Sequence, residues 1–130
     1  MHTRLGRILK RHKILVLVTI TVLVIFIGFG AYYFLVKRDY DQRCSAVMVQ
    51  YPNLPKLTAQ DLTLHDGVKR PDIYLAYKCI IYDVTAGKDK FYGLGKPYHY
   101  LVGRDSTKQL MIFGGDTIAA KYPAVGVLNE

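Results

Sequence analysis

Tyrosine is abundant among the side chains of this sequence that can carry chemistry. Eight of the eleven tyrosines lie after residue 43, together with the two cysteines, Cys44 and Cys79. The Cys and His residues lack the spacing of a zinc site. The sequence also contains no nucleophile motif of the Ser-His-Asp or Cys-His kind and no paired carboxylates. These residue types therefore predict a protein that is not an enzyme.

A glycine-rich segment over residues 87–97 carries three lysines, Lys88, Lys90 and Lys96. Lysines beside glycines can attract an anion, but a phosphate-binding loop follows a strand and opens a helix. The segment Gly93-Leu94-Gly95 lacks that context. We therefore interpret the lysines as a solvated rim.

Cys44 and Cys79 allow two interpretations, a disulfide or two free thiols. On the oxidising side of a membrane they can form a disulfide. Their distance in the fold cannot be read from the sequence, so two free thiols are an equal alternative.

The net charge of +8 comes mostly from one end of the chain. The first thirteen residues form a basic tail with five Lys or Arg and no acid, whereas residues 44–130 carry ten bases and eight acids. A nucleic-acid-binding domain needs a basic face on the folded part. The nearly balanced charge of this part argues against a nucleic-acid partner.

The 23 residues from Ile14 to Val36 contain no charge. About 20 apolar residues cross the hydrocarbon core as a helix, so the run predicts one transmembrane helix over residues 14–36. The basic tail places the N-terminus on the cytoplasmic side and the following domain on the opposite, extracytoplasmic or luminal side. A cleaved signal peptide is the alternative, with small residues at Gly28–Ala31 as its cleavage site.

The rest of the chain divides into a juxtamembrane connector (37–57), kept extended by its prolines, and a domain (58–130). Turn and capping signals predict a helix from Thr58, with Asp61 near its start. The order of elements is α+β. After that first helix we expect a hairpin of strands at 73–77 and 80–84, a loop at 87–97 and a short helix near Tyr98. Another short helix is expected over 106–113, with Asp105 or Ser106 as its cap, followed by a turn capped by Asp116 and a strand at 124–128.

Several motifs of the domain resemble the membrane-associated progesterone receptor family, which includes neudesin and neuferricin. Together the matching segments cover residues 57–128. They are Leu57-Thr58-Ala59-Gln60-Asp61-Leu62, Ile73-Tyr74-Leu75-Ala76, Tyr82-Asp83-Val84-Thr85, Phe91-Tyr92-Gly93, Pro97-Tyr98-His99-Tyr100, Gly103-Arg104-Asp105-Ser106 and Lys121-Tyr122-Pro123-Ala124-Val125-Gly126. The resemblance implies a cytochrome b5-like fold on a single membrane anchor.

The sequence departs from the family pattern at three places. Cys79 stands where the family usually has a hairpin glycine, and Leu94 and Lys96 replace residues that are often Pro and Gly. Only fourteen residues, Thr107 to Ala120, separate the last two motifs, where relatives have several tens. The resemblance therefore implies a cytochrome b5-like domain that is shortened in its C-terminal half.

The resemblance also implies a haem site with a tyrosine as the axial ligand of the iron. Tyr98 matches the ligand position, and a tyrosinate ligand favours ferric iron. Tyr92 would hydrogen-bond the ligand or a propionate, and Lys121 and Tyr122 match other pocket residues. A core aromatic is the alternative role for Tyr98. His99, next to Tyr98, is a candidate second ligand or hydrogen-bond partner, but adjacent helical residues point about 100° apart, so both cannot easily face one iron. His65 lies in a turn, and we expect it to be solvated.

Two functions from different classes follow. The first is a membrane-anchored haem-binding protein, linked by its family to steroid or sterol binding. The second is an interaction module without a cofactor, or an accessory subunit that docks on a membrane-protein partner. Haem absorbance distinguishes the two.

Overall fold

The longest element of the fold is an N-terminal helix of 49 residues, α1 (His2–Gln50). The computed structural model describes the backbone of residues 2–129 and the side-chain exposure of residues 6–129. The chain divides after Asp39 into two compact units, which are described here in turn.

The first unit is the part of α1 up to Asp39, which contains the apolar run. Its large apolar side chains, including Leu17, Ile25 and Phe29, are all exposed. Within the described part of the chain, α1 is long and apolar enough to cross a bilayer, and a signal sequence has the same composition. A helix that is apolar on all sides needs an apolar environment.

The connector predicted at residues 37–57 is helical over most of its length. Helix α1 continues to Gln50, and the chain leaves the helix just before Pro52. Residues 37–50 contain neither proline nor glycine, so nothing in them breaks the helix, and the residue before a proline disfavours helical geometry. After Gln50 the chain makes a turn in which the Leu54 N–H donates to the Tyr51 carbonyl at 3.2 Å, and strand β1 (Lys56–Leu57) follows. The expectation of an extended connector is therefore wrong for most of its length.

The second unit is built on one four-stranded sheet. Its strands are β1 (Lys56–Leu57), β2 (Tyr74–Tyr77), β3 (Ile80–Asp83) and β4 (Ala124–Leu128), in the spatial order β1-β4-β3-β2. Strand β4 runs parallel to β1 and antiparallel to β3. The predicted hairpin and closing strand are thus confirmed, and β1 joins the domain although it lies within the predicted connector.

Helix α2 (Ala59–Leu62) begins as its sequence predicts. The Thr58 hydroxyl accepts a hydrogen bond from the Asp61 N–H at 3.1 Å, and the Asp61 carboxylate accepts one from the Thr58 N–H at 3.0 Å. This reciprocal capping box satisfies two backbone donors that a helix start leaves unpaired.

The predicted helix over 106–113 is a single turn, α3 (Thr107–Leu110). Ser106 occupies its N-cap position, yet its hydroxyl donates to the Leu101 carbonyl, while the Asp105 carboxylate accepts from the Thr107 N–H. The cap is therefore made by Asp105, one of the two residues predicted for it.

Helix α4 (Gly115–Lys121) follows, with Gly114 at its N-cap. The prediction that Asp116 caps this turn is wrong, because Asp116 lies inside the first turn. Its carboxylate instead accepts a hydrogen bond from the Tyr77 hydroxyl at 3.1 Å and lies 3.7 Å from the Lys78 ammonium. Asp116 therefore ties α4 to the hairpin.

The hairpin separates two cores because successive strand residues point to opposite faces. On one face Leu75 and Tyr82 lie opposite each other and join the larger core under α3 and α4. On the other face Ala76 and Ile81 pack with α2 and the end of β4. Gly126 of β4 allows β1 to approach closely.

A disulfide between Cys44 of α1 and Cys79 of the hairpin settles the alternative left open by the sequence. Cys44 is buried, and the two Cα atoms are 5.2 Å apart. Lys78 and Cys79 both have positive φ, at 50° and 65°, which is the turn geometry that favours glycine. Cysteine stands at this glycine-type position because it bonds to α1.

We expect the variant Cys44→Ala/Cys79→Ala to lose about 3–4 kcal/mol of unfolding free energy, because the bond spans 35 residues of the unfolded chain. The matched variant Cys44→Ala/Cys79→Gly should recover about 1 kcal/mol, since glycine adopts positive φ without steric cost. Urea unfolding of the full chain in detergent measures both values. Equal stability of the wild type and both variants would contradict the disulfide between Cys44 and Cys79.

Candidate ligand-binding site

A cavity of about 250 Å³ lies between the glycine-rich segment and helices α3 and α4. The structure brings all four residues predicted for the site, Tyr92, Tyr98, Lys121 and Tyr122, into its lining. We call this cavity the tyrosine pocket. Its other lining residues are Phe91, Tyr100, Leu101, Gln109, Leu110, Phe113, Gly114, Thr117 and Ile118.

Local backbone structure places the two tyrosines of the glycine-rich segment. Tyr92 ends a five-residue π-helical turn that starts at Lys88, within a segment predicted to be loop. The chain then reverses so that the Tyr98 N–H donates to the Phe91 carbonyl at 2.9 Å. A turn of 3₁₀ helix, His99–Leu101, follows. The reversal brings Tyr92 and Tyr98 together although six residues separate them.

The third tyrosine is positioned by the sheet. Tyr122 stands just before β4, and the next residue, Pro123, accepts a hydrogen bond from the Asp83 N–H of β3 at 3.0 Å. The Tyr122 ring meets that of Tyr92 edge-to-face, with centroids 5.8 Å apart at 81°. Such contacts add about 0.5–1.5 kcal/mol beyond the burial of area.

A glycine makes room for this contact. A Cβ at Gly87 would lie 2.7 Å from both the Tyr122 hydroxyl and the Tyr92 ring. Any larger residue would displace the two rings. The absence of a side chain at Gly87 therefore allows the rings of Tyr92 and Tyr122 to occupy their buried positions.

The three tyrosines differ in exposure. Tyr92 is only 6% exposed and Tyr122 8%, whereas Tyr98 is 43% exposed. The Tyr98 ring centroid is 6.3 Å from that of Tyr92 and 6.0 Å from that of Phe91. Of these three tyrosines, Tyr98 is thus the one that solvent or a ligand can reach, and two further rings back it; Tyr100, also in the lining, is exposed as well.

Burial raises the pKa of Tyr92 to about 12, and the nearby hydroxyls of Tyr122 and Tyr98 add to the effect. An exposed tyrosine titrates near 10. Because the folded state holds this proton more tightly, Tyr92 contributes stability below about pH 10 that is lost as the pH rises towards 12. Tyr92 is therefore a neutral phenol at physiological pH.

We predict that the phenolate absorbance of the wild type minus that of Tyr92→Phe, followed against pH, has its midpoint near pH 12. In a Tyr122→Phe background the same difference should shift to lower pH, because the neighbouring hydroxyl is gone. A wild-type midpoint near the ordinary value of about 10 would show that Tyr92 is not buried as described.

Lysines supply positive charge at one side of the pocket. The Lys121 ammonium lies 5.9 Å from the Phe91 ring centroid and 5.6 Å from that of Tyr122. A neighbouring depression of about 230 Å³ shares these three residues and adds Lys90 and Asp89. Lys90, assigned from the sequence to a solvated rim, therefore lies next to Lys121 at the edge of the tyrosine pocket.

His65 and His99 do not line the tyrosine pocket, and the ring of each has another partner. The Nδ1 atom of His99 lies 2.9 Å from the Tyr92 carbonyl oxygen, so this ring is held by the backbone. The expectation that His65 is solvated is wrong: it is buried, pairs with Asp72 at 2.6 Å and stacks on Tyr74 at 4.2 Å. Among the residues that the structure describes, no three His, Cys, Asp or Glu side chains converge on a metal position.

The sequence did not indicate the wall formed by α3 and α4. Gln109, Phe113 and Thr117 line the pocket, but they lie in the shortened segment, outside the matching motifs. The available signal was one buried apolar residue in each short helix, Leu110 in α3 and Ile118 in α4, since each joins the larger core.

Comparison with known proteins agrees with this architecture. Residues 58–129 match the family model described as "Cytochrome b5-like Heme/Steroid binding domain". A solved structure from Arabidopsis thaliana, described as having a cytochrome b5 like fold, has a TM-score of 0.53 and 27% identity, and the match covers 59% of this chain and 93% of that one.

Two curated relatives extend the comparison. Protein vem-1 of Caenorhabditis elegans is 34% identical over 102 residues, which is 77% of this chain and 54% of vem-1. Membrane-associated progesterone receptor component 2 of Rattus norvegicus is 35% identical over 83 residues, 58% of this chain and 38% of the relative. The chain thus matches about half or less of each. The predicted fold and resemblance are confirmed, and the chain belongs to the family of cytochrome b5-like haem/steroid-binding domains.

Proposed function

We propose that this protein is a membrane-anchored binding protein whose tyrosine pocket holds ferric haem, with Tyr98 as the axial ligand. The observation that supports it is the convergence of Tyr92, Tyr98, Lys121 and Tyr122 on one cavity. The role is binding rather than catalysis, as the family description indicates.

The donor set of the pocket fits ferric haem. A phenol becomes a phenolate ligand when a ferric iron replaces its proton, and Tyr98 is the most exposed of the three tyrosines predicted for the site. Tyr92 stays protonated because burial raises its pKa, so it can donate a hydrogen bond to the phenolate. When bound, such a haem has its ferric state stabilised by the anionic ligand.

The walls of the pocket suit a flat apolar ligand. Phe91, Leu110 and Phe113 offer apolar surface, and Lys121 offers a cation that can pair with a carboxylate such as a propionate. A volume of about 250 Å³ lies below the 300–1,000 Å³ of pockets that enclose most of a ligand. A bound haem or sterol would therefore keep one edge exposed.

The anchor and its orientation are supported by two independent features. The basic tail favours a cytoplasmic N-terminus, which places the domain on the extracytoplasmic or luminal side. The disulfide between Cys44 and Cys79 is the kind of bond that persists in such oxidising compartments. Helix α1 over residues 14–36 would be the membrane span.

An interaction module without a cofactor is the second candidate. The feature that favours it is the cluster of exposed aromatic and apolar side chains at the pocket mouth, including Tyr100 and Phe113. In that case the surface would contact a membrane-protein partner, and the pocket would bind no haem or steroid.

The test is a visible-absorption titration of the full chain in detergent with ferric haem. We expect saturation at one haem per chain and a phenolate-to-iron charge-transfer band. In Tyr98→Phe the band should vanish and the affinity should fall at least about tenfold, or about 1.4 kcal/mol. Tyr100→Phe, a nearby exposed tyrosine in the same lining, is the matched control and should keep both.

Each other outcome has a clear reading. Saturable binding that is unchanged in Tyr98→Phe would overturn the ligand assignment but keep the haem function. No saturable binding by the wild type would overturn the haem proposal and favour the interaction module.

A further inference from the structure

The turn between α3 and α4 exposes three large apolar side chains in a row. Met111, Ile112 and Phe113 are 67%, 75% and 74% exposed. In water such a tip has an unfavourable hydration cost of about 25 cal/mol for each Å² left exposed. Consecutive exposed apolar residues on a short turn indicate a contact surface rather than part of the core.

The tip is continuous with the mouth of the tyrosine pocket. Phe113 lines the pocket together with the exposed rings of Phe91, Tyr98 and Tyr100. Tyrosine suits a boundary between apolar and aqueous phases, because its ring is apolar and its hydroxyl is polar. We call the tip and these three rings the mouth surface.

The charge of the domain is concentrated on the same part of the chain. Residues 86–122, which build the pocket and the tip, carry six Lys or Arg against three Asp. The rest of the segment 44–130 carries four bases and five acids. Lys108 of α3 is exposed near the tip, and Lys121 lines the pocket. The segment that builds the apolar mouth surface thus carries twice as many bases as acids.

We propose that the mouth surface docks on an anionic lipid bilayer, with Met111, Ile112 and Phe113 inserted at the level of the headgroups. The proposal rests on the anchoring part of the proposed function, needs anionic lipid in the leaflet that faces the domain, and is independent of haem. Apolar insertion and the attraction of lysines to anionic lipids are the two contributions that drive interfacial binding.

A bilayer fits the mouth surface better than a second copy of the chain does. A stable protein interface buries about 800 Å² on each partner. A tip of three residues is small for such an interface, but it can insert among lipid headgroups. The anchor also supplies the bilayer at high effective concentration. Only eight residues separate Val36, at the end of the apolar run, from Cys44 in the disulfide, and even fully extended they span at most about 28 Å.

Docking would place the opening of the tyrosine pocket at the lipid surface. An apolar ligand dissolved in the membrane could then enter the pocket without crossing water. The lysines around the mouth would meet lipid headgroups or the acidic groups of such a ligand.

The experiment uses the full chain in lipid nanodiscs that contain anionic lipid. The sequence has no tryptophan, so Phe113→Trp introduces a single fluorescent reporter at the tip. Val68→Trp is the matched control, because Val68 is also well exposed but lies in the turn after α2. We expect brominated lipids to quench Phe113→Trp roughly twofold or more, as insertion into the headgroup and acyl boundary requires, and to leave Val68→Trp unquenched.

A second variant guards against an uninformative reporter. Adding Met111→Ser and Ile112→Ser to Phe113→Trp should reduce the quenching to the level of the control, and so should replacing anionic by neutral lipid. Equal fluorescence of Phe113→Trp and Val68→Trp in nanodiscs that hold the chain would overturn the docking. A chain that does not co-elute with nanodiscs would overturn the anchor itself. Burial of the tryptophan without bromine quenching, seen only with two chains per disc, would identify a second copy as the partner instead.

Discussion

The placement of β4 between β1 and β3 is the constraint on which the rest of the domain depends. The last strand of the chain lies inside the sheet, and its backbone donates to Pro55 before β1 and to Cys79 in the hairpin, each within 2.9 Å. Because β4 is hydrogen-bonded to a strand on each side, the positions of Lys121 and Tyr122, just before β4, are determined by the sheet. The pocket therefore forms only when the two ends of the domain meet.

The position of Tyr122 before β4 also determines which tyrosines of the pocket are buried and which is exposed. Tyr122 and Tyr92 are held together over Gly87, where their burial keeps the Tyr92 phenol neutral. Tyr98 remains exposed at the mouth because its segment turns back along the Phe91 backbone rather than entering the core. One exposed phenol, Tyr98, backed by the two buried rings of Tyr92 and Tyr122 is the arrangement on which the proposed haem site rests.

The sequence predicted most of the fold because its local signals agree with the final structure. Thr58 and Asp61 mark a helix start, and alternating apolar residues mark the hairpin, so α2, β2 and β3 were placed correctly. The cap at Asp116 and the solvated His65 were wrong because each residue has a tertiary partner, whereas the extended connector was wrong because residues 37–50 contain no helix breaker. The disulfide with Cys44, the hydrogen bond from Tyr77 and the pair with Asp72 all join segments that local patterns treat separately. For the same reason the four site residues could be named from motifs, but not the α3–α4 wall.

The most direct test of the central claim is resonance Raman spectroscopy of the full chain loaded with ferric haem, with excitation in the charge-transfer band. If Tyr98 is the axial ligand, phenolate ring modes should appear, shift when the chain carries ring-deuterated tyrosine, and disappear in Tyr98→Phe. A haem-loaded chain without phenolate modes, or with modes that persist in Tyr98→Phe, would contradict the account of a tyrosine pocket built around one reactive phenol.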